Sequence, residues 1–165
     1  MLGPIITQPP GPIYPHRQQA RLKQYFALLT SLVHVRWAHS TSEDAQKEAA
    51  SALLHMATNN TTTQVLIAKS SGIPPLIQLV SRGSPAAQEF AARALWHLAS
   101  SNESQVAIAE SGGITPLVGM LSVEDVRSQE IATVAISRLA RGNPKVSITI
   151  ADSGGIVPLV RLIRN

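Results

Sequence analysis

The phrase Ser71-Gly72-Ile73-Pro74-Pro75-Leu76-Ile77 recurs as Gly112-Gly113-Ile114-Thr115-Pro116-Leu117-Val118 and again as Gly154-Gly155-Ile156-Val157-Pro158-Leu159-Val160. Ile73 and Ile114 stand 41 residues apart, and Ile114 and Ile156 stand 42 apart. A period of this length marks a stack of similar units, each burying its apolar face against the next. Such a stack acts through its surface, so the functional question becomes which partner it holds.

Working outward from the first copy, Val65, Ile67 and Ala68 suggest a short helix that stops at Ser71-Gly72, where glycine tolerates a left-handed turn. A second helix starts near Ile73, with proline accepted in its first turn because the amide there lacks a partner anyway. It carries Leu76, Ile77, Leu79 and Val80. Arg82-Gly83 turns the chain, Ser84 caps and Pro85 opens a third, longer helix. Phe90, Ala91, Ala94, Leu95 and Leu98 line one face of that helix.

The next unit repeats the plan. Val106, Ile108 and Ala109 form its short helix and Ile114 to Leu121 its second. Ser122 with Asp125 reads as a capping box, before Ile131, Ala132, Ala135, Ile136 and Leu139. An earlier unit offers Thr41 with Asp44 as the capping pair, then Ala49, Ala52, Leu53 and Met56. Residues 143–165 supply a short and a second helix. The predicted fold is an all-α solenoid of three-helix units over 41–165.

Composition fits this plan. Of 165 residues 44% are hydrophobic, 15% charged and 4% aromatic, so the core is built from Leu, Ile, Val and Ala. There is no cysteine, which excludes disulfides, thiolate metal sites and a cysteine nucleophile. No apolar run behind a basic start reads as a signal peptide, and no stretch of about 20 apolar residues could span a bilayer. The expected location is the cytoplasm or the nucleus, where the sequons at Asn59 and Asn102 are inert. The net charge of +4 is unevenly placed: residues 1–42 hold Arg17, Arg21, Lys23 and Arg36 with no acid, while 43–165 hold ten basic and ten acidic side chains. Residues 1–16 carry five prolines and read as an extended tail. Residues 17–40 read as a leading helical segment with Leu22, Phe26, Leu29, Leu32 and Val33 on one stripe and Trp37 at its end.

A 41–42-residue unit with Gly-Ile-x-Pro-Leu-Val and an Ala-Ala-x-Ala-Leu helix resembles the armadillo repeat, as found in beta-catenin, importin alpha and vacuole-tethering armadillo proteins. The resemblance covers about residues 41–165. It implies a right-handed superhelix of three to four three-helix repeats, the last incomplete, whose third helices line a concave groove. HEAT repeats share the period but lack this phrase. In groove-binding members, an asparagine before the final Leu-Ala of the third helix fixes an extended peptide. The matching positions here are His55, His97 and Arg138. Members that bind basic import signals hold a tryptophan four residues earlier, where this chain has Ser51, Arg93 and Val134. Arginine at these positions repels a Lys/Arg-rich ligand, and no aromatic cage is present to hold one. The same side chains suit an acidic or neutral segment.

Trp96 reads either as a packing residue or as an aromatic platform beside the groove. Glu89–Arg93 reads as a surface ion pair. The histidines are too far apart in sequence to suggest a metal site, and Gly112-Gly113 and Gly154-Gly155 lack the Lys-Ser/Thr of a phosphate loop. The expectation is a non-catalytic module without cofactor or small-molecule substrate, binding an extended protein segment. The alternatives are a substrate-targeting piece of a ubiquitin ligase or kinase, and a nucleic-acid or membrane-surface binder acting through residues 17–36. Glu48, where later units hold Phe90 and Ile131, suits a solvent-facing terminal unit. At the other end, Leu159, Val160, Leu162 and Ile163 have no third helix to cover them. The chain is therefore expected to be a fragment, a truncated product or half of an assembly, prone to self-association.

Overall fold

A computed structural model describes residues 42–58 and 60–164; the proline-rich stretch 1–16 and the segment 17–40 with Trp37 lie outside the described residues. The described residues form nine helices and no strands: α1 Glu43–Ala57, α2 Thr61–Lys69, α3 Ile73–Arg82, α4 Pro85–Leu98, α5 Asn102–Glu110, α6 Ile114–Met120, α7 Val126–Ala140, α8 Pro144–Asp152 and α9 Ile156–Arg164. The third helices α1, α4 and α7 pack one on the next, and α3 packs on α4 as α6 packs on α7. This is an all-α repeat solenoid.

The small residues explain how closely the third helices approach. Ala91, Ala92, Ala94 and Leu95 are fully buried on α4, and Ala132 and Ala135 are fully buried on α7. A side chain of one carbon lets backbones approach and fill the gap to the density of an organic crystal. Leu76, Leu98, Ile108, Leu117 and Leu139 complete the spine at zero exposure. The α1 stripe differs from its sequence reading. Ala50, Leu53, Leu54 and Ala57 are buried, whereas Ala52 is exposed and Ala49 and Met56 are half-buried. The reason is that α1 packs only forward, onto α2, α3 and α4, so its opposite face meets none of the described helices.

Two capping expectations move by a residue or more. The α1 cap is Ser42, whose hydroxyl accepts from the Ala45 amide at 3.4 Å; Thr41 lies outside the described residues. Asp125 is itself the α7 cap, its Oδ2 accepting from the Ser128 amide at 2.8 Å, and Ser122 lies before the helix. Bonds from the Ser128 side chain and amide hold the Asp125 carboxyl below its usual range. Ser84 caps α4 as read, and its own amide donates to Gln46 Oε1 of α1 at 2.9 Å.

The recurring Gly pair does two different jobs. The first position is the left-handed one: Gly112 has φ +81° and Gly154 φ +80°. In the first unit this position is Ser71, at φ +58°, and not Gly72 as the sequence suggests. The second position is glycine for lack of space. A Cβ on Gly72 would lie 2.6 Å from Ile67 Cγ2, and on Gly113 2.8 Å from Ile108 Cγ2 and 3.2 Å from Ile77 Cδ1 of the preceding unit. Steric room sets the junction between units.

Candidate functional site

The six side chains that the sequence reading places along α1, α4 and α7 are set by helix register. Residues four apart on a helix share a face, so Ser51 and His55, Arg93 and His97, and Val134 and Arg138 form three adjacent rungs. His55 is exposed, and its Nδ1 lies 2.9 Å from the Ser51 carbonyl oxygen. Arg93, His97 and Arg138 are half-buried, and Val134 is exposed. Trp96 is half-buried against the core and stacks on His97, with ring centroids 4.7 Å apart and planes inclined by 25°. The tryptophan therefore both packs and backs the His97 ring.

Electrostatics bring the central rungs together. The His97 imidazole is pushed below its ordinary value, first by burial and then by the positive charges of Arg93 and Arg138. Both guanidiniums thus act on one ring, which stays neutral at neutral pH. One carboxylate lies close by. Glu89 Oε1 is 3.7 Å from Arg93 Nη1 on its own helix and 2.6 Å from Arg127 Nη2 on α7. That oxygen is buried and the Arg127 approach is off the hydrogen-bonding direction, so the contact is an ion pair and not an aligned hydrogen bond. Arg127 holds the acid more closely than Arg93 does. The sequence suggests Glu89–Arg93 but misses Arg127, because contact between units is not a spacing within one helix.

Glu130 on α7 is exposed, two turns before Arg138. Eight residues of helix are about 12 Å, which separates Glu130 from Arg138 along the α7 axis. Among the described residues no group of three His, Cys, Asp or Glu side chains is placed to hold a metal ion. No single helix among them is long and apolar enough to cross a membrane, and the apolar pair α8 and α9 is bent by 84°.

Comparison with known proteins fits this geometry. Residues 101–141, one whole unit from α5 through α7, match the model of the armadillo/beta-catenin-like repeat. This unit is an armadillo repeat, and the chain shares its all-α repeat-solenoid fold with armadillo repeat proteins. Among solved structures, the chain is similar to an engineered protein at 32% identity and TM-score 0.74, covering 82% of this chain and 54% of that one. It is similar to computationally designed armadillo repeat proteins for modular peptide recognition (24% identity, TM-score 0.78, 90% of this chain and 60% of that one). It is also similar to a designed armadillo repeat protein in complex with the peptide (KR)4, at 23% identity and TM-score 0.76, covering 93% of this chain and 71% of that one. The chain spans about half the length of the engineered protein it matches. No curated protein sequence matches it.

Proposed function

We propose that this chain is a non-catalytic interaction module that holds an extended protein segment, acidic or neutral in charge, along α1, α4 and α7. The armadillo fold commonly mediates protein binding, and designed members have been built for peptide recognition or bound to a peptide. The observation that carries the charge preference is the grouping of Arg93 and Arg138 about His97, with Glu89 drawn to Arg127. A lysine or arginine brought to ~6 Å of either guanidinium meets a repulsion of about 1–3 kcal/mol at the dielectric of a wet to partly buried surface. A carboxylate there gains by the same measure and can take paired bonds from arginine. Where the designed relative holds (KR)4, this chain offers arginine instead.

His55 and Ser51 extend the row toward α1 and can donate to or accept from a peptide backbone. Trp96 supports the His97 ring from beside it. The test is fluorescence anisotropy with a labelled alternating Glu-Gly peptide and with (Lys-Arg)4. The acidic peptide should bind, and Arg93→Glu with Arg138→Glu should weaken it at least tenfold while circular dichroism stays unchanged. Tighter binding of (Lys-Arg)4 by the unaltered chain, or unchanged acidic binding by the double variant, refutes the reading.

A further inference from the structure

Arg93, Arg127 and Arg138 gather where α4 packs on α7, and their hydrogen-bonding capacity is unspent. A guanidinium carries five N–H donors, yet among the described residues none of these three side chains donates a hydrogen bond. The acid between two of them is no better satisfied. Glu89 Oε1, 2.6 Å from Arg127 and 3.7 Å from Arg93, is buried and accepts no hydrogen bond. One carboxylate offsets one of three cations, and the nearer, Arg127, takes it. Arg93 and Arg138 remain as two positive charges beside the neutral His97 ring, whose plane is fixed by the stacked Trp96.

The neighbouring rungs carry no such charge. On α1 the positions of Arg93 and His97 are Ser51 and His55, and on α7 the position of Arg93 is Val134. Glu130, at the position of Glu89, stands eight residues before Arg138. Residues 43–165 hold ten basic and ten acidic side chains, so the charge is one spot and not a stripe. A nucleic acid gains affinity by having successive phosphates neutralised, which a single spot does not provide.

A side-chain carboxylate brings one negative charge and two oxygens to this spot. A phosphorylated residue brings about −1.5 to −2 and three strong acceptor oxygens at neutral pH. Guanidinium forks bind such oxygens in pairs, and the imidazole has one further N–H to give. On the peptide-binding role proposed for α1, α4 and α7, we infer that the bound segment carries a phosphorylated serine or threonine, its phosphoryl group clasped by Arg93 and Arg138 beside His97. Negative charge brought to the ring favours its protonated form, so His97 takes up a proton as the phosphoryl group binds. His55 on α1 is the other titratable group of that row.

The probes are three labelled, end-blocked peptides of one sequence, Gly-Glu-Gly-Glu-Gly-X-Gly-Glu-Gly-Glu-Gly, in which X is phosphoserine, glutamate or serine. Each is titrated into the 165-residue chain by fluorescence anisotropy. The phosphoserine peptide should bind at least tenfold tighter than the glutamate peptide. Arg93→Gln with Arg138→Gln should bring those two within twofold of each other while circular dichroism stays unchanged. Arg93→Lys with Arg138→Lys, which keeps both charges and removes the forks, should lose most of the advantage. The His97 ring should titrate at higher pH with the phosphoserine peptide bound than with the glutamate peptide bound, as read by NMR. Equal binding of phosphoserine and glutamate peptides overturns the inference and leaves the peptide-binding role standing, whereas no binding of any of the three overturns both. A phosphoserine advantage that survives the double glutamine variant also overturns it. So does a preference for oligouridylate, or for phosphatidylinositol phosphate vesicles, over the phosphoserine peptide, lost in the same variant, which assigns the spot to RNA or to a membrane.

Discussion

Ser71 and Gly72 sit side by side in one turn, and substitutions there should move stability in opposite directions. Ser71 occupies φ +58°, where the second and third units hold glycine at +81° and +80°. A non-glycine residue in this region costs about 1–2 kcal/mol, because Cβ crowds the following carbonyl oxygen. Glycine gives back part of that gain, roughly 0.5–1 kcal/mol, through the extra freedom of the unfolded chain. Ser71→Gly should therefore stabilise the fold by about 1 kcal/mol. With an unfolding entropy near 2.1 cal/mol/K per residue over the ~120 described residues, that is ~4 °C in Tm. Gly72→Ala should do the reverse. Its new Cβ would stand 2.6 Å from Ile67 Cγ2 and 2.9 Å from the Ile67 carbonyl oxygen, and the latter is backbone and cannot swing away. The cost should be about 2 kcal/mol, the middle of the range for overpacking. Urea denaturation followed by circular dichroism, with equal m-values, measures both. A Ser71→Gly chain no more stable than its parent, or a neutral Gly72→Ala, refutes the assignment of conformational strain to one residue and crowding to the next.

Three further outcomes are expected. Gln64 Oε1 is buried without a hydrogen-bond partner, whereas Gln105 Oε1, one unit on, accepts from Asn143 Nδ2 at 3.3 Å. Ser101 caps α5 where Asn143 caps α8, so Ser101→Asn should supply the missing donor and raise stability by about 1 kcal/mol in urea. Removing the Arg127 side chain with Arg127→Ala should cost about 1 kcal/mol, because Arg127 itself is largely exposed and Arg93 remains beside Glu89, and should weaken the acidic Glu-Gly peptide as Glu89 turns to Arg93. A variant with undiminished affinity counts against that coupling. The His97 ring should titrate below 6.5 by NMR, and Arg93→Gln with Arg138→Gln should raise its midpoint only in part, because burial is the larger cause. The native state then binds fewer protons than the unfolded one, so stability is full above pH 6.5 and declines as pH falls from 6.5 through the lowered folded value. A His97→Gln chain with the same decline over that window contradicts this.

Much of the fold is legible in the one-dimensional pattern because each unit is local. Helix periodicity, the Pro-opened starts and the spacing of Ile73, Ile114 and Ile156 depend on neighbours within a few residues, and repetition shows each signal more than once. The rungs Arg93–His97 and Val134–Arg138 follow from the same register. What the tertiary structure alone decided lies between units. It gave the left-handed turn to Ser71, because Ile67 leaves no room for a Cβ on Gly72. It exposed Ala52, because a helix face is buried only if another helix reaches it. It joined Glu89 to Arg127 across α4 and α7. Residue types specify which faces can bury or pair, and only the packing of the chain in space determines which of those faces find a neighbour.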